Sequence, residues 1–321
     1  MITLAADFGG RRIKLGLVKD GRVLARQVLP ANADQPLSTR LEAVADGLRG
    51  LCAEQRLTPA NCGGVGFAYP SIVDARRARI MDHFGKFGDA SQLDLRAWAM
   101  TTLGLPLAID NDARMALIGE WQYGAGRGCN NLGVITLGTG LGASAVIEGR
   151  VLRGVHGQAG ILGGHLTVRY GGRQCVCGNL GCAEAEGSTW MLDKLARERE
   201  DFDQSPLSRE PRLDYAAVFR LAAMDDTCAK ALRDHSLQIW SVTAVNLIHA
   251  YDPEKVVLCG GIMASADVIV PAVQAYVERC AHTPWGRVEV VPSALGDDAA
   301  LLACEWLWQE ELGKTILCEE T

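Results

Sequence analysis

The chain lacks any uninterrupted run of eighteen or more apolar residues, which is about the length that a membrane-spanning helix needs. It also lacks an excess of positive charge, because 32 lysines and arginines are set against 38 aspartates and glutamates, for a formal net charge of −6. We therefore expect no membrane span. The charge also does not favour binding to nucleic acid or to an anionic membrane surface.

We also expect no secretory signal peptide, because the opening MITLAADFGG is uncharged before Asp7 and is typical of a strand. The 11 cysteines are an odd number, and three of them are clustered at positions 175–182 rather than spread in pairs. Since reducing compartments keep thiols free, this usage favours a cytoplasmic location.

Hydrophobic patterning indicates strands and helices that alternate along the chain, with a glycine-rich turn between strands at residues 7–10 and again at 138–142. The repetition suggests two related halves built from α/β layers. Predicted strands cover residues 2–7, 13–18, 23–29, 65–68, 107–109, 132–137, 143–148, 255–258 and 288–291, and predicted helices cover 37–51, 113–123, 228–250 and 297–311. The polar segment 198–214 is expected to form a surface loop.

One imidazole and three thiols lie close together in the run GGHLTVRYGGRQCVCGNLGCAE, and glycines between them allow tight turns. This set, His165, Cys175, Cys177 and Cys182, predicts a closed tetrahedral zinc site, which is structural because it leaves no position for water. The alternative is a group of buried free cysteines beside a solvated histidine. Glu184 follows the last cysteine by two residues, so a metal loop would hold it rigidly against a ligand.

Three glycine-rich turns follow predicted strands, and such turns let backbone N–H groups approach phosphate oxygens closely. The first contains a carboxylate that could hold hydrated Mg²⁺, the second a hydroxyl in reach of a phosphate, and the third could admit a base or ribose. The residues are Asp7, Gly9 and Gly10, then Gly138, Thr139 and Gly140, then Gly260 and Gly261. Each alone fits a plain tight turn as well, but their order around the metal run is more specific.

Asp112 is the candidate general base, because phosphoryl transfer to an alcohol needs a carboxylate near the hydroxyl. The pair Asn111-Asp112 begins a predicted helix, so a helix N-cap is the alternative interpretation. The two interpretations are compatible, since residues at the start of that helix face the strand ends where ligands bind. Arg12 and Lys14, beside the first turn, are expected to be solvated strand residues, and contact with a phosphate is the alternative.

Together these motifs resemble those of the ROK kinases, sugar kinases within the actin and hexokinase superfamily, over nearly the whole chain. The matching motifs are Asp7-x-Gly9-Gly10, Asn111-Asp112, the turn from Gly138 to Gly142, Cys175-x-Cys177-Gly178-x-x-Gly181-Cys182-x-Glu184, and Gly260-Gly261. The resemblance implies two α/β domains of the actin/hexokinase-like (ribonuclease H-like) fold with an interdomain cleft. We expect the first domain to comprise residues 1–115 and 297–321, and the second residues 116–296.

The resemblance also implies the chemistry of the site, with ATP against the glycine turns, Mg²⁺, and a structural Zn²⁺. Asp112 would deprotonate a sugar hydroxyl, usually the one on C6. Asn111, His165 and Glu184 would contact sugar hydroxyls, with His165 also binding zinc, and Ser71 lies in the loop that approaches the sugar. Family members often form homodimers, so a homodimer is expected.

Three positions depart from the family pattern. The family has a glutamate three residues before the zinc histidine, whereas this chain has Leu162 there, or Ile161 if Gly164 is an insertion. Arg11 replaces the usual threonine and could bind phosphate bidentately, and Ser71 replaces a common glycine. A lost carboxylate removes charge-assisted hydrogen bonds of about 1.5–3 kcal/mol each, so an atypical substrate or weak activity is expected.

Two other functions stay open beside an ATP-dependent sugar kinase. One is a degenerate ROK protein that binds sugar without turnover, which the missing glutamate motivates. The other is a sugar-responsive regulator, although the negative charge makes DNA binding unexpected. Lys86 and Asp89 lie where the family presents a sugar-contacting loop, or else they are simply polar loop residues.

Overall fold

The computed structural model of the chain describes residues 1–82 and 85–319, which form two compact units. Unit 1 contains Met1–Arg127, Arg153–Ala159 and the residues from Asp297 onward, and unit 2 contains Gly128–Leu152 and Gly160–Gly296. The domain boundaries predicted from the sequence lie at residues 115 and 296, and this division into two domains stays a prediction.

Unit 1 is built on a five-stranded mixed sheet with the order β3-β2-β1-β4-β7. The first three strands are antiparallel neighbours, whereas β1, β4 and β7 run parallel. A short β5–β6 ladder lies apart from it. The strands are β1 (Ile2–Phe8), β2 (Arg12–Lys19), β3 (Arg22–Pro30), β4 (Cys62–Tyr69), β5 (Val73–Asp74), β6 (Arg79–Ile80) and β7 (Leu107–Asn111).

Helices cover both faces of this sheet. They are α1 (Leu37–Glu54), α2 (Leu95–Leu103), α3 (Asp112–Tyr123) and the C-terminal helix (Ala299–Glu319). Successive strand residues point to opposite faces, and accordingly Leu15 packs against Gly47 of α1 while its neighbour Gly16 lies against Leu301 of the C-terminal helix. The leucine and valine spacing that predicted α1 is the buried face of that helix.

The C-terminal helix approaches α3 so closely that only a glycine fits between them. A Cβ atom added at Gly119 would lie 2.1 Å from the carbonyl oxygen of Ala299. Because that neighbour is backbone, it cannot rotate away. The packing of α3, and of the residues at its N-terminus, therefore depends on this contact.

We expect Gly119→Ala to lower the free energy of unfolding by about 1–3 kcal/mol, because overpacking outweighs the higher helix propensity of alanine. Gly50→Ala is the matched control, since Gly50 is an exposed residue of α1 with no atom within 4 Å of an added Cβ. That change should raise the free energy of unfolding by about 0.5–1 kcal/mol. Denaturant unfolding of both variants measures the difference, and a Gly119→Ala variant as stable as wild type would contradict the close approach.

Unit 2 has a second five-stranded mixed sheet, with the order β10-β9-β8-β11-β12. Its strands are β8 (Leu132–Leu137), β9 (Leu141–Ile147), β10 (Arg150–Val151), β11 (Lys255–Cys259) and β12 (Glu289–Pro292). Three antiparallel strands are again followed by two parallel ones. The two sheets thus share one strand order, which is the structural counterpart of the repeated strand–glycine turn–strand pattern.

The helices of unit 2 are α4 (Ala183–Gly187), α5 (Thr189–Arg197), α6 (Tyr215–Ala223), α7 (Thr227–Tyr251) and α8 (Ala266–Cys280). Trp240 of α7 is fully buried at the centre of the core, where its ring contacts Tyr215 and Phe219. Within the described residues, no helix is both long and apolar enough to cross a membrane.

Several sequence predictions need correction. The segment 198–214 is not a plain surface loop, because it forms short 3₁₀ turns that bury Phe202, Ser205 and Leu207. The second glycine turn is shorter than predicted, since Leu141 and Gly142 already pair within β9. Sequence patterns also missed α2, α4, α5, α6 and α8.

Candidate active site

Asn111 and Asp112 lie where β7 ends and α3 begins, within unit 1. The N-cap interpretation of Asn111 is confirmed, because its Oδ1 accepts a hydrogen bond from the N–H of Arg114 at 3.1 Å. The Asn111 Nδ2 donates to the carbonyl oxygen of Ser71 at 3.0 Å and to Asp112 Oδ1 at 3.1 Å. The amide of Asn111 therefore fixes the Asp112 carboxylate and joins it to the loop after β4.

Partial burial controls the acidity of Asp112. Removal from water raises its pKa to about 6, with the Lys86 charge acting to lower the pKa and the Asp7 charge acting to raise it. The N–H of Ala113 donates to Asp112 Oδ1 at 2.8 Å, which favours the ionised form. A carboxylate with this pKa is mostly ionised near neutral pH and is still basic enough to accept a proton.

Behind this pair lies a buried ionic network that the sequence did not reveal. Asp110 is fully buried and accepts hydrogen bonds from the buried Arg114 and, at 2.8 Å, from Arg153. Arg114 also donates to the carbonyl oxygen of Gly157 at 2.7 Å. The segment Arg153–Ala159 belongs to unit 1, and this network holds it behind the N-terminus of α3 although the two are distant in sequence.

The first glycine turn joins β1 to β2 as a tight hairpin. The N–H of Gly9 donates to the carbonyl oxygen of Arg12 at 2.9 Å, and a Cβ at Gly9 would lie 2.9 Å from that same oxygen. Gly10 and Arg11 are at the tip, and the Arg11 side chain is exposed. The turn therefore exposes backbone close to the buried Asp7 that precedes it.

Lys14 forms an ion pair with Asp7, so the expectation of a solvated strand lysine was wrong. Its Nζ lies 3.0 Å from Asp7 Oδ2 and 2.9 Å from Asp297 Oδ1. Burial acts to lower the pKa of Lys14, but the two carboxylates outweigh it and raise the pKa above its usual value. Arg12, by contrast, is more than half exposed and also pairs with Asp297.

Ser71 and Asp89 both make hydrogen bonds to backbone atoms within unit 1. Ser71 is buried, and its hydroxyl donates to the carbonyl oxygen of Asp82 while its own carbonyl oxygen holds Asn111. The carboxylate of Asp89 accepts from the N–H groups of Leu37 and Ser38, so it caps the N-terminus of α1. Asp89 is thus committed to the helix, a role that its position in a glycine-rich loop did not suggest.

The second glycine turn, Gly138–Gly140, lies between β8 and β9 in unit 2 and is tied to α5. The carbonyl oxygens of Gly138 and Thr139 accept from the N–H groups of Thr189 and Trp190 at 3.2 and 3.1 Å. Thr139 itself is exposed, which leaves its hydroxyl accessible.

Gly260 brings the third glycine turn next to the second. Its φ is +99°, and a Cβ there would lie 2.2 Å from the carbonyl oxygen of Leu137, the last residue of β8. Only glycine combines that backbone conformation with that approach. Gly261 has open space beside it. The residues expected to contact a nucleotide base or ribose thus lie at the same sheet edge as the second turn.

Glu184 contacts the second glycine turn. Its Oε2 accepts from the N–H of Leu141 at 2.9 Å and would lie 2.5 Å from a Cβ added at Gly140. Glu184 sits in the first turn of α4, directly after the cysteine loop. The loop, the carboxylate and the glycine turn are therefore one connected feature of unit 2.

The four predicted metal ligands lie close together. The donor atoms of His165, Cys175, Cys177 and Cys182 all lie within 4.8 Å of one another. Cys177 Sγ is 3.6 Å from Cys182 Sγ, and Cys175 Sγ is 3.5 Å from His165 Nδ1. Around a tetrahedral zinc, ordinary bond lengths put two thiolates about 3.8 Å apart and a thiolate and an imidazole nitrogen about 3.6 Å apart. The residues fit Zn²⁺ in both distance and donor type.

The cysteine loop is anchored to the rest of unit 2 by a buried carboxylate that sequence reasoning missed. Glu186 is fully buried and accepts from the backbone N–H of Arg173 at 2.7 Å and from its guanidinium at 2.5 Å. Arg173 also pairs with Glu198 at 2.7 Å. No sequence spacing indicates this contact, because Glu186 follows the motif without being part of it.

The segment before His165 lacks a carboxylate, as the sequence indicates. Ile161 is buried and Leu162 is half-buried. A Cβ at Gly164 would lie 1.8 Å from the carbonyl oxygen of Leu141, so the double glycine lets this turn pack directly on β9. An apolar pair thus precedes the metal histidine on a tightly packed turn.

Two mixed sheets of one strand order, with glycine turns at their edges and a carboxylate at a helix N-terminus, define an α/β protein of the actin/hexokinase-like class. The crystal structure of a ROK hexokinase from Thermus thermophilus matches with a TM-score of 0.78 and 27% identity, covering 98% of this chain and 100% of that one. The predicted α/β class and actin/hexokinase-like fold are confirmed.

The chain belongs to the ROK family, whose family model matches residues 3–311. A glucokinase of Halalkalibacterium halodurans is 28% identical over 319 residues, covering 96% of this chain and 95% of that protein. The xylose repressor of Bacillus subtilis is 24% identical over 285 residues, covering 88% of this chain and 70% of the repressor. The resemblance identified from the motifs is therefore confirmed.

Proposed function

We propose that this ROK protein is an ATP-dependent kinase of a hexose or hexose-like sugar. The observation that carries the proposal is the Asp112 carboxylate, which is fixed at the N-terminus of α3 and has a pKa raised to about 6 beside the charges of Asp7 and Lys86. Full-length similarity to a glucokinase supports the same activity.

In this mechanism Asp112 accepts the proton of a sugar hydroxyl, which we propose to be the one on C6. The hydroxyl oxygen attacks the γ-phosphorus of ATP, the bond from that phosphorus to its bridging oxygen breaks, and ADP leaves. Asn111 orients Asp112 through the 3.1 Å hydrogen bond. We propose Asn111, Ser71, His165 and Glu184 as the residues that contact the sugar.

The glycine turns are the proposed nucleotide site. Backbone N–H groups of Gly9, Gly10 and the turn Gly138–Gly140 would bind phosphate oxygens, with the exposed side chains of Arg11 and Thr139 beside them. Mg²⁺ is usually held by one or two carboxylates together with phosphates and water, and Lys14 contacts one of the two oxygens of Asp7. Asp7 therefore fits a metal that supplies charge neutralisation to the phosphates.

Zinc would be structural, because His165 and three cysteines complete its tetrahedral shell. By ordering the loop before α4, the metal would set the position of Glu184. The expected homodimer, the cytoplasmic location and the absence of nucleic-acid binding stay predictions.

A sugar-binding protein without turnover is the second candidate function. The xylose repressor shares most of the chain's length, and Ile161 and Leu162 lack the carboxylate expected before the zinc histidine. Such a protein would bind a sugar and act as a regulator or sensor.

The test is ATP consumption, coupled to ADP detection, over a panel of aldoses, ketoses, N-acyl amino sugars and polyols with Mg²⁺. Turnover that depends on one class of sugar supports the kinase, and product analysis identifies the phosphorylated hydroxyl. Sugar binding in calorimetry without ADP formation across the panel would reject the kinase in favour of the second candidate.

A further inference from the structure

The segment from Gly85 to Asp89 is anchored at two of its residues, Phe87 and Asp89. Phe87 is fully buried, and its ring lies 6.1 Å from that of Phe8 and 5.9 Å from that of Tyr69. Its N–H donates to the carbonyl oxygen of Ala33 at 2.7 Å, and its φ is +52°, which is uncommon for a bulky residue. Since Asp89 caps α1, the segment is held at Phe87 and again two residues further along the chain.

These anchors place the ammonium group of Lys86 over the first glycine turn. A Cβ added at Gly10 would lie 3.7 Å from Lys86 Cε and 3.8 Å from its Nζ. The side chain is half-buried, so part of its flexibility is already lost. Lys86 forms no ion pair with any carboxylate among the residues that the structure describes.

Lys86 also acts electrostatically on Asp112. Its charge lowers the pKa of that carboxylate, while burial and the charge of Asp7 raise it. Asp7 in turn is paired with Lys14, which is itself shared with Asp297. The charge of Lys14 is thus neutralised by carboxylates, whereas the charge of Lys86 can bind a ligand at the first glycine turn.

We propose that Lys86 is a catalytic residue whose ammonium group binds the phosphoryl group during its transfer from ATP to the sugar hydroxyl. The inference rests on the proposed kinase function and names a residue for its charge-stabilising step. Lys86 lies by Gly10, which is part of the proposed phosphate site, and within electrostatic range of Asp112, the proposed proton acceptor.

The chemistry suits a lysine at this point. In phosphoryl transfer, negative charge is spread over the equatorial oxygens of the transferred group while the donor bond breaks. A prearranged cation stabilises that charge, and an ammonium group offers three N–H donors. By keeping Asp112 ionised, the same charge also favours acceptance of the hydroxyl proton.

The test compares Lys86→Met and Lys86→Arg with wild type in the sugar-dependent assay. Lys86→Met is expected to lower kcat by about 10²-fold or more while the sugar KM changes little, and Lys86→Arg should recover part of the loss. The acid limb of the kcat profile should move to higher pH in Lys86→Met, because Asp112 then faces only Asp7. Lys19→Met, at the exposed end of β2, is the matched control.

Nucleotide binding gives a second readout that does not need turnover. Calorimetry should show that Lys86→Met weakens ATP by about tenfold and ADP by much less, since only ATP carries the transferred group. An active wild type with an unchanged Lys86→Met kcat and pH profile would overturn the role of Lys86 and leave the kinase intact. If wild type turns over no sugar, the kinase proposal fails, and an unchanged ATP-to-ADP affinity ratio in Lys86→Met then overturns this inference as well.

Discussion

Asp112→Asn is expected to lower kcat by about 10²–10⁴-fold, because an amide cannot accept the proton of the sugar hydroxyl. Sugar and nucleotide should still bind with near wild-type affinity, since Asn keeps the size and hydrogen-bonding reach of Asp. Steady-state kinetics with calorimetry on the same preparations measures both. The kcat of wild type should fall below about pH 6, as protonation of Asp112 removes the base.

A stability measurement shows whether the loss of kcat in Asp112→Asn comes from loss of the base or from loss of folding. The pKa of Asp112 is higher when folded, about 6, than in an unfolded chain, so protonation favours the folded state. That stabilisation is complete below about pH 4 and is lost as the pH rises through 6. Asp112→Asn should therefore be at least as stable as wild type at pH 7.5. Asp34→Asn, an exposed change before α1, should leave activity unaltered, and an active Asp112→Asn enzyme would reject the base assignment.

Removal of zinc is expected to unfold the loop from Gly163 to Glu184 locally and to raise the sugar KM. Structural zinc contributes about 10–16 kcal/mol to the folding of zinc-finger peptides, and here the four ligands close the same kind of small loop. Glu184 would then lose the support that holds it at the turn Gly138–Gly140. Metal analysis, limited proteolysis and sugar kinetics on chelator-treated protein test the three steps.

Cys177→Ser distinguishes the effect of losing zinc from the effect of disrupting the core, because Cys177 is an exposed ligand. Cys280→Ser is its matched control, since Cys280 is exposed on α8 and outside the ligand set. We expect loss of bound zinc and faster cleavage in the first variant only. Unchanged sugar kinetics in a preparation verified to be metal-free would show that the loop does not support the sugar site.

Much of the fold could be predicted because its signals are local. The buried leucine spacing indicates α1, the strand patterns at 13–18 and 23–29 indicate β2 and β3, and the cysteine spacing indicates the ligand set at His165. Each of these depends on residues within one element or one short loop. Such patterns are visible in a single sequence.

The missed features depend on partners that are distant in sequence. Lys14 pairs with Asp297, Arg153 with Asp110, and Asp89 caps α1, across separations that no local pattern encodes. The short helix α4, which directly follows the cysteine motif, was also missed. The roles of the site residues stay predictions, because they describe chemistry with ligands rather than packing.

The order of the chain through the two units has a consequence for protein synthesis. Unit 2 is complete once residue 296 has been made, whereas unit 1 still lacks its C-terminal helix at that moment. That helix contacts β1, β2, β4, β7 and α3. One face of the unit 1 sheet therefore lacks its covering helix until residues 299 onward have been synthesised, so we expect the core of unit 1 to be completed after that of unit 2.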